Sequence, residues 1–131
     1  MTTVSNGTVM TVVAAALSRG LSISDVQDAA GLTCDILMTP SSRPPADVTP
    51  KIVGLLGDRF PDEPISLDIA RAAPFSFFGG LAEGARYADD LRTAIGLLAQ
   101  NCTVISDQLH LTFHESPTKA KIVHVHPMNH L

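Results

Sequence analysis

The side chains in this sequence best suited to chemistry are histidines near its carboxyl end. His124 and His126 are two positions apart in an alternating segment, so on a β-strand their side chains point the same way. A hairpin that pairs Glu115 with Lys119 would place His110 directly across from His124. Three imidazoles on one face could bind zinc or another borderline metal, whereas a solvated, threonine-rich face explains the same pattern with nothing bound. We predict no metal and no cofactor, and a mild pH response stays open.

An aromatic cluster is the second candidate. Phe75, Phe77 and Phe78 precede a Gly-Gly pair, and Tyr87 follows two to three helical turns later. Ligand sites are mostly apolar with a few polar anchors, and guanidinium groups suit carboxylates, so nearby arginines could hold an anionic effector. Alternatively, the phenylalanines belong to the core and the arginines are solvated. The available arginines are Arg71, Arg86 and Arg92, and the residues that we predict to contact an effector are Phe75, Phe78, Tyr87 and Arg71.

Signals for catalysis are weak. Ser76 and Ser106 lack a Gly-x-Ser-x-Gly context, and no His and Asp partners stand at a recognisable spacing. Neither Cys34 nor Cys102 lies in an activating motif, and no phosphate-binding loop is present. We therefore predict no catalytic residues and a protein that is not an enzyme.

Composition narrows the remaining classes. A chain of 131 residues with 45% hydrophobic content is enough for one domain, predicted over residues 1–131. A net charge of −4 works against direct binding to nucleic acid. The segment 21–38 has the shape of a helix-turn-helix but carries only acidic charges. Two distant cysteines, no basic leader and no long apolar run predict a cytoplasmic protein outside the membrane.

Hydrophobic periodicity and punctuation predict a helical first part. We predict Ser24, Thr49 and Asp89 as N-caps, and Gly20 and Gly31 as left-handed helix stops. Residues 39–47 are too rich in proline and serine for regular structure. The predicted helices cover residues 8–19, 25–30, 34–38, 50–60 and 65–73, followed by one that ends near residue 87 and one that begins near residue 90.

The last part of the chain changes from helical to two-residue periodicity. Residues 108–125 predict a β-hairpin with its turn at residues 116–118, in which Leu109, Leu111 and Phe113 share a face with Val123 and Val125. The two preceding helices are predicted to pack closely, because small residues remove side-chain bulk there. These small residues are Gly80, Gly84, Ala88 and Gly96. The predicted fold class is α+β, with amino-terminal helices packed on an antiparallel hairpin or small sheet.

These segments together resemble the arabinose-binding-type amino-terminal domain of AraC-type bacterial transcription regulators, across nearly the whole chain. The similar stretches are "SRGLSISDVQDAAGL", then "DVTPKIVGLLGDRF" after a proline-rich loop, then "DEPISLDIARAAPFSFFGGLAEGARYADDLRTAIGLLAQNCTVISDQLHLTF". The strongest element is "FSFFGGLAEGARYADDLRTAIGLLAQ", in which a glycine-bearing helix is followed by an aspartate-started helix and then a hairpin.

The resemblance implies a region that senses a small-molecule effector or mediates dimerisation, and that controls a separate helix-turn-helix DNA-binding domain. It also implies further sensor sequence after the hairpin, so we expect a chain truncated at its carboxyl end. A hairpin with an open edge tends to recruit another chain, which predicts a homodimer or higher oligomer that buries either this edge or the apolar helix face. The alternative is a stand-alone dimerisation or interaction module without effector binding.

Overall fold

The α+β fold is confirmed by a computed structural model, which describes residues 1–125. Within these residues, seven α-helices and two short 3-10 helices precede a two-stranded antiparallel sheet. None of these helices has the length and apolar character needed to span a bilayer. The α-helices are α1 (Asn6–Ser18), α2 (Ile23–Ala30), α3 (Cys34–Met38), α4 (Val48–Arg59), α5 (Ile65–Ala72), α6 (Gly79–Arg86) and α7 (Leu91–Asn101), the 3-10 helices are Phe75–Phe78 and Cys102–Val104, and the strands are β1 (His110–Glu115) and β2 (Ala120–Val125).

The start of α2 shows how a cap sets a helix boundary. The Ser22 hydroxyl accepts the N–H of Asp25 at 3.0 Å, and the Asp25 carboxylate accepts the N–H of Ser22 at 3.0 Å. The predicted cap, Ser24, is therefore wrong by two positions, because this reciprocal pair begins the helix earlier. The backbone N–H of Ser22 also lowers the pKa of Asp25. Both predicted left-handed stops are confirmed, at Gly20 (φ 85°) and Gly31 (φ 67°).

Two other predicted caps are displaced, by two positions in α4, where the cap is Asp47, and by one position in α7. Because the N–H of Val48 already bonds to the carbonyl of Pro45, α4 begins at Val48 and encloses Thr49 within its first turn. In α7 the cap is Asp90, whose extended backbone lets its carboxylate accept the N–H of Thr93 at 2.7 Å. The backbone N–H of Thr93, and after it the Thr93 hydroxyl, lower the pKa of Asp90.

The core lies among α1–α5, which we call the helical body. Val9 and Val13 of α1 pack with Ile52 and Leu56 of α4, and each pair is one helical turn apart. Val26 of α2 completes the contact, and all five side chains are fully buried. Apolar residues on one face of each helix thus produce a fully buried hydrophobic core.

Helix α1 lies so close to the 3-10 helix Phe75–Phe78 that it requires a glycine at position 7. A Cβ atom at Gly7 would lie 1.7 Å from the carbonyl oxygen of Phe77, so only glycine fits against this 3-10 helix. The other end of α1 is held by Arg19, whose guanidinium bonds to Glu63 at 3.1 Å and Asp68 at 2.9 Å. These contacts join the end of α1 to α5 and to the turn that precedes α5.

The remaining elements, α6, α7 and the hairpin, form what we call the hairpin unit. The predicted close packing of α6 on α7 is confirmed at Gly84, where a Cβ would lie 2.9 Å from Leu97 Cδ2. Gly80 and Gly96 meet no neighbour within 4 Å, so their predicted role at this contact is wrong. Within Leu91–Asn101 no side chain is fully buried, and the same holds for both strands.

The hairpin is confirmed, but its register differs from the prediction by one residue. Glu115 pairs with Ala120 and not with Lys119. The reason is a four-residue loop, in which the N–H of Ser116 donates to the carbonyl of Lys119 at 2.8 Å and the N–H of Lys119 donates to Ser116 Oγ at 3.1 Å. A one-residue shift moves every side chain of one strand to the opposite face relative to the other strand.

Candidate functional site

A groove of about 440 Å³ lies between the helical body and the segment that enters the hairpin. This volume falls within the usual range of small-molecule sites. One wall comes from α1 and the first turns of α4, and the other comes from residues 105–109 and β2. We call it the junction groove, and its principal lining residues are Thr8, Thr49, Val53, Ile105, Leu109 and His124.

The amino-terminal segment joins these walls. The N–H of Val4 donates to the carbonyl of Pro44 at 2.9 Å, and the N–H of Ser5 donates to the carbonyl of Ile105 at 2.7 Å. Val4 is itself buried and lines the groove. These backbone hydrogen bonds therefore hold the two walls of the groove together.

A polar cluster beside the groove reinforces this connection. Thr3 donates to Asp107 Oδ2 through its hydroxyl at 2.6 Å and its N–H at 2.7 Å, while Arg43 donates to Asp107 Oδ1 at 3.0 Å. The Thr3 hydroxyl, then its N–H, and then Arg43 hold the pKa of Asp107 below its usual value. Arg43 also donates to the carbonyl of Val104 at 2.7 Å, so its guanidinium stabilises the folded arrangement of these segments.

The groove is mostly apolar, with one unusual polar atom. Thr49 Oγ1 is buried and is the one such side-chain atom within residues 1–125 that has no hydrogen-bond partner. A buried polar group left unpaired costs about 1–3 kcal/mol. The Thr8 hydroxyl, by contrast, shares a 2.9 Å hydrogen bond with Ser5 Oγ, and Gln108 Nε2 donates to Thr2 Oγ1 at 3.2 Å. Because the Thr49 oxygen has no exposed surface, the polar groups that the groove offers a ligand are those of its other lining residues, Thr8, Ser106, Gln108 and His124.

The residues predicted to contact an effector lie elsewhere. Phe75 and Phe78 meet edge to face, with ring centroids 6.5 Å apart. Phe78 lines a smaller cavity of about 260 Å³, while Phe75 is half exposed. Tyr87, at the end of α6, is 79% exposed, and Arg71 is exposed in the last turn of α5. None of these four lines the junction groove as described over residues 1–125, and their contact with an effector stays a prediction.

The other two candidate anchors face carboxylates. Arg86 lies 4.0 Å from Glu83, and Arg92 bonds to Glu115 at 2.7 Å. The hydrogen bond from Arg92 to Glu115 raises the pKa of that arginine. Because Arg92 lies on α7 and Glu115 on β1, this pair connects the two layers of the hairpin unit.

The observed register separates the histidines. His110 pairs with Val125, and His124 pairs with Leu111, so the two imidazoles belong to opposite faces of the hairpin. The predicted facing pair is therefore wrong, because the turn is one residue longer than predicted. His126 lies outside the described residues. Within residues 1–125, no three His, Cys, Asp or Glu side chains are grouped so that they could hold a metal ion.

The candidate nucleophiles are also separated. Cys34 is exposed on α3 and accepts a hydrogen bond from Gln27 Nε2 at 3.1 Å. Cys102 is buried, and its thiol donates to the carbonyl of Leu109 at 3.0 Å. Ser106 Oγ accepts the N–H of Gln108 at 3.2 Å, which is a local turn contact.

The junction groove is absent from the sequence-based expectations because four separate chain segments build it. Thr49 was predicted from the sequence only as a helix N-cap. The structure places it instead inside the first turn of α4, with its hydroxyl oxygen buried and unpaired.

Comparison with known proteins adds no relative. A search with models of known protein families finds no match to this chain. A search of curated proteins finds none either.

Proposed function

We propose that this chain is the ligand-sensing and dimerisation region of an AraC-type transcription regulator, acting in the cytoplasm. A small effector binds in the junction groove and controls a separate DNA-binding domain. The observation that carries this proposal is the position of the groove, between the tightly packed helical body and the hairpin unit.

This position allows a ligand to couple two parts of the molecule. Thr8 and Val53 belong to the helical body, whereas Leu109 leads into β1 and His124 belongs to β2. A molecule that contacts both walls favours the arrangement in which they lie at the matching distance. Binding energy in the groove is then available to change how the hairpin is held.

The hairpin unit also supports the dimerisation part of the proposal. Leu91 is 74% exposed, Ile122 53% and Val125 58%, and within residues 1–125 both strands have an unpaired edge. Apolar side chains beside an open edge favour association with another chain. A second copy of this chain is the partner that we propose.

DNA contact belongs to another domain in this proposal. The two helices that resemble a helix-turn-helix, α2 and α3, carry Asp25, Asp28 and Asp35 and no basic residue. Such a surface repels phosphates.

A reporter assay tests dimerisation directly. Residues 1–131 are fused to a DNA-binding domain that represses its operator only as a dimer, and we expect the fusion to repress. Ile122→Lys, which places a charge on the exposed hairpin face, should relieve repression. Met38→Lys is the matched control, because Met38 is also exposed but lies on α3. A wild-type fusion that does not repress would contradict the proposal.

The second candidate is a dimerisation or interaction module that binds no effector, and the exposed apolar residues of the hairpin unit favour it equally. A thermal-shift screen of metabolites separates the two. A saturable rise in melting temperature with one chemical class supports sensing. Repression by the fusion together with a flat screen supports the module.

A further inference from the structure

Asn6 holds the start of α1 against the end of α3. It is the one polar residue that is almost completely buried within residues 1–125. Its side-chain nitrogen, Nδ2, donates to the carbonyl of Thr39 at 2.6 Å and also lies 3.0 Å from the carbonyl of Ile36. Two further acceptors are the carbonyl of Leu37 at 3.3 Å and Ser42 Oγ at 3.1 Å. Because the last carbonyls of a helix have no partner within it, an NH₂ group is needed here.

The next residue must be glycine for a separate reason. A Cβ atom at Gly7 would lie 1.7 Å from the carbonyl oxygen of Phe77. Packing therefore places an asparagine directly before a glycine. In an unfolded chain this dipeptide is chemically labile, because the glycine nitrogen can attack the side-chain carbonyl carbon of the asparagine and no Cβ atom on the glycine hinders the approach.

The folded arrangement opposes this attack. Asn6 is the first residue of α1, and ring closure requires its backbone to rotate away from helical dihedral angles. Its side-chain amide is fixed by the hydrogen bonds to α3 and the following loop, and Phe77 leaves no space for Gly7 to move towards it. The reaction therefore requires the start of α1 to separate from α3 and from the 3-10 helix Phe75–Phe78.

We propose that Asn6–Gly7 is a deamidation site that the fold protects, and that its modification makes an opening of this region irreversible. The Gly7 nitrogen forms a bond to Asn6 Cγ and loses its proton, while the side-chain nitrogen leaves as ammonia. Water then opens the resulting succinimide at either carbonyl, which gives aspartate or isoaspartate. Water is the only co-reactant that this sequence of steps consumes.

A modified chain cannot restore the original contacts. An aspartate at position 6 would bury a carboxylate among acceptors, and Arg43, which lines the same cavity, is already bonded to Asp107. A buried charge without a donor or counter-ion is strongly unfavourable. Isoaspartate adds a methylene group to the main chain and displaces Gly7 from Phe77. Either product therefore detaches α1 from the segment that leads into the hairpin unit.

Peptide mapping of the full chain tests the protection. The chain is kept in mildly alkaline buffer with or without urea, and the deamidated fraction of tryptic peptide 1–19 is followed over time by mass spectrometry. We expect a rate at least about tenfold lower without urea, because only the opened state reacts. In urea, Gly7→Ala should react about tenfold more slowly than the wild type, since its methyl group hinders the attack. Equal rates with and without urea, or no reaction in urea, would overturn the proposal.

A pair of serine variants tests whether the hydrogen bonds of Asn6 provide the protection. Ser42→Ala removes a hydroxyl that accepts from Asn6 and donates to the carbonyl of Ile36, so deamidation of the native chain should become several-fold faster. Ser41→Ala is the matched control, because Ser41 is exposed, and its rate should equal that of the wild type. Identical rates for the two variants would contradict this role of the hydrogen bonds.

Refolding tests the irreversible step. Wild-type chain is held in alkaline urea for increasing times and diluted, and the folded fraction is recovered by size-exclusion chromatography and mapped. We expect this fraction to shrink as deamidation advances and to contain only unmodified Asn6. A sample held in urea at mildly acidic pH, where attack by the amide nitrogen is slow, should refold fully. Deamidated chains in the folded fraction would show that the opening is reversible and would overturn this part of the proposal.

Discussion

The helical body and the hairpin unit use apolar residues in different ways. In the helical body, Ile52 and Leu56 reach zero exposure because three helices converge on them. In the hairpin unit, Leu98 and Phe113 are only half-buried, and Ile122 is exposed. The described residues therefore complete one core among α1–α5, whereas within residues 1–125 a second apolar layer stays open. The junction groove lies at the boundary between them.

The largest expected effect tests whether a buried side chain contributes more to the free energy of unfolding in the helical body than in the hairpin unit. Ile52→Ala should lower the free energy of unfolding by about 2–5 kcal/mol, because it leaves a cavity in a closed core. Leu98→Ala should lower it by less than half as much, since Leu98 is only partly buried. Urea unfolding followed by circular dichroism measures both. Equal losses would mean that Leu98 is covered in an assembly, and dilution would then reduce its effect.

The next effect concerns the contact between α1 and the 3-10 helix Phe75–Phe78, which leads into the hairpin unit. Gly7→Ala should lower the free energy of unfolding by about 1–3 kcal/mol, because the new methyl meets the Phe77 carbonyl and the backbones must separate. Gly54→Ala is the control. Its methyl would meet nothing within 4 Å on the exposed side of α4, and it should stabilise the helix by about 0.5–1 kcal/mol. Two variants of similar stability would show that α1 does not pack against this 3-10 helix.

A smaller effect follows from Asp107, which connects the amino-terminal segment to the hairpin unit. Its pKa is lowered in the folded state, chiefly by the Thr3 hydroxyl. Its contribution is therefore present above the unfolded value near 3.9, and it is lost as the pH falls through the lower folded value. Melting curves across this acidic range should show a shallower pH dependence for Asp107→Asn than for the wild type. Asp58→Asn, at an exposed position of α4, should leave the slope unchanged.

The smallest effect concerns the exposed pair of Arg92 and Glu115. Arg92→Gln should speed amide hydrogen exchange in β1 by a small factor and leave α1 and α4 unchanged, because the pair joins α7 only to the hairpin. Surface ion pairs are weak and are screened by salt, so the difference in exchange rate between Arg92→Gln and the wild type should vanish at ~1 M salt, where the Debye length is about 3 Å. Faster exchange in α4 as well would mean that the two regions open together.

Much of the fold could be predicted from local signals. Gly20 and Gly31 end helices as expected, since few residues other than glycine adopt positive φ, and the change of period at residue 108 identified the hairpin. Exact boundaries were harder. Ser22 and Ser24 are both good caps, and only the reciprocal bond with Asp25 selects the first.

The candidate site was less predictable, since it depends on contacts between distant segments. His110 and His124 were expected on one face of the hairpin, but they lie on opposite faces because the turn is one residue longer than predicted. A one-residue error in register exchanges the two faces of a strand. Likewise, Thr49 was expected to cap a helix, whereas α4 begins two residues earlier than predicted and encloses Thr49, whose hydroxyl oxygen is buried and unpaired.

The amino-acid sequence alone determined the α+β class, the order of the elements and the acidic charge, because these follow from periodicity, punctuation and composition. Long-range contacts were needed to bring residues 4, 49, 105 and 124 around one groove, and to leave α7 and the hairpin without a fully buried side chain within residues 1–125. Local propensities cannot specify such features, because they act within a few residues. Grooves and exposed faces arise where segments far apart in the chain fill, or fail to fill, the same space.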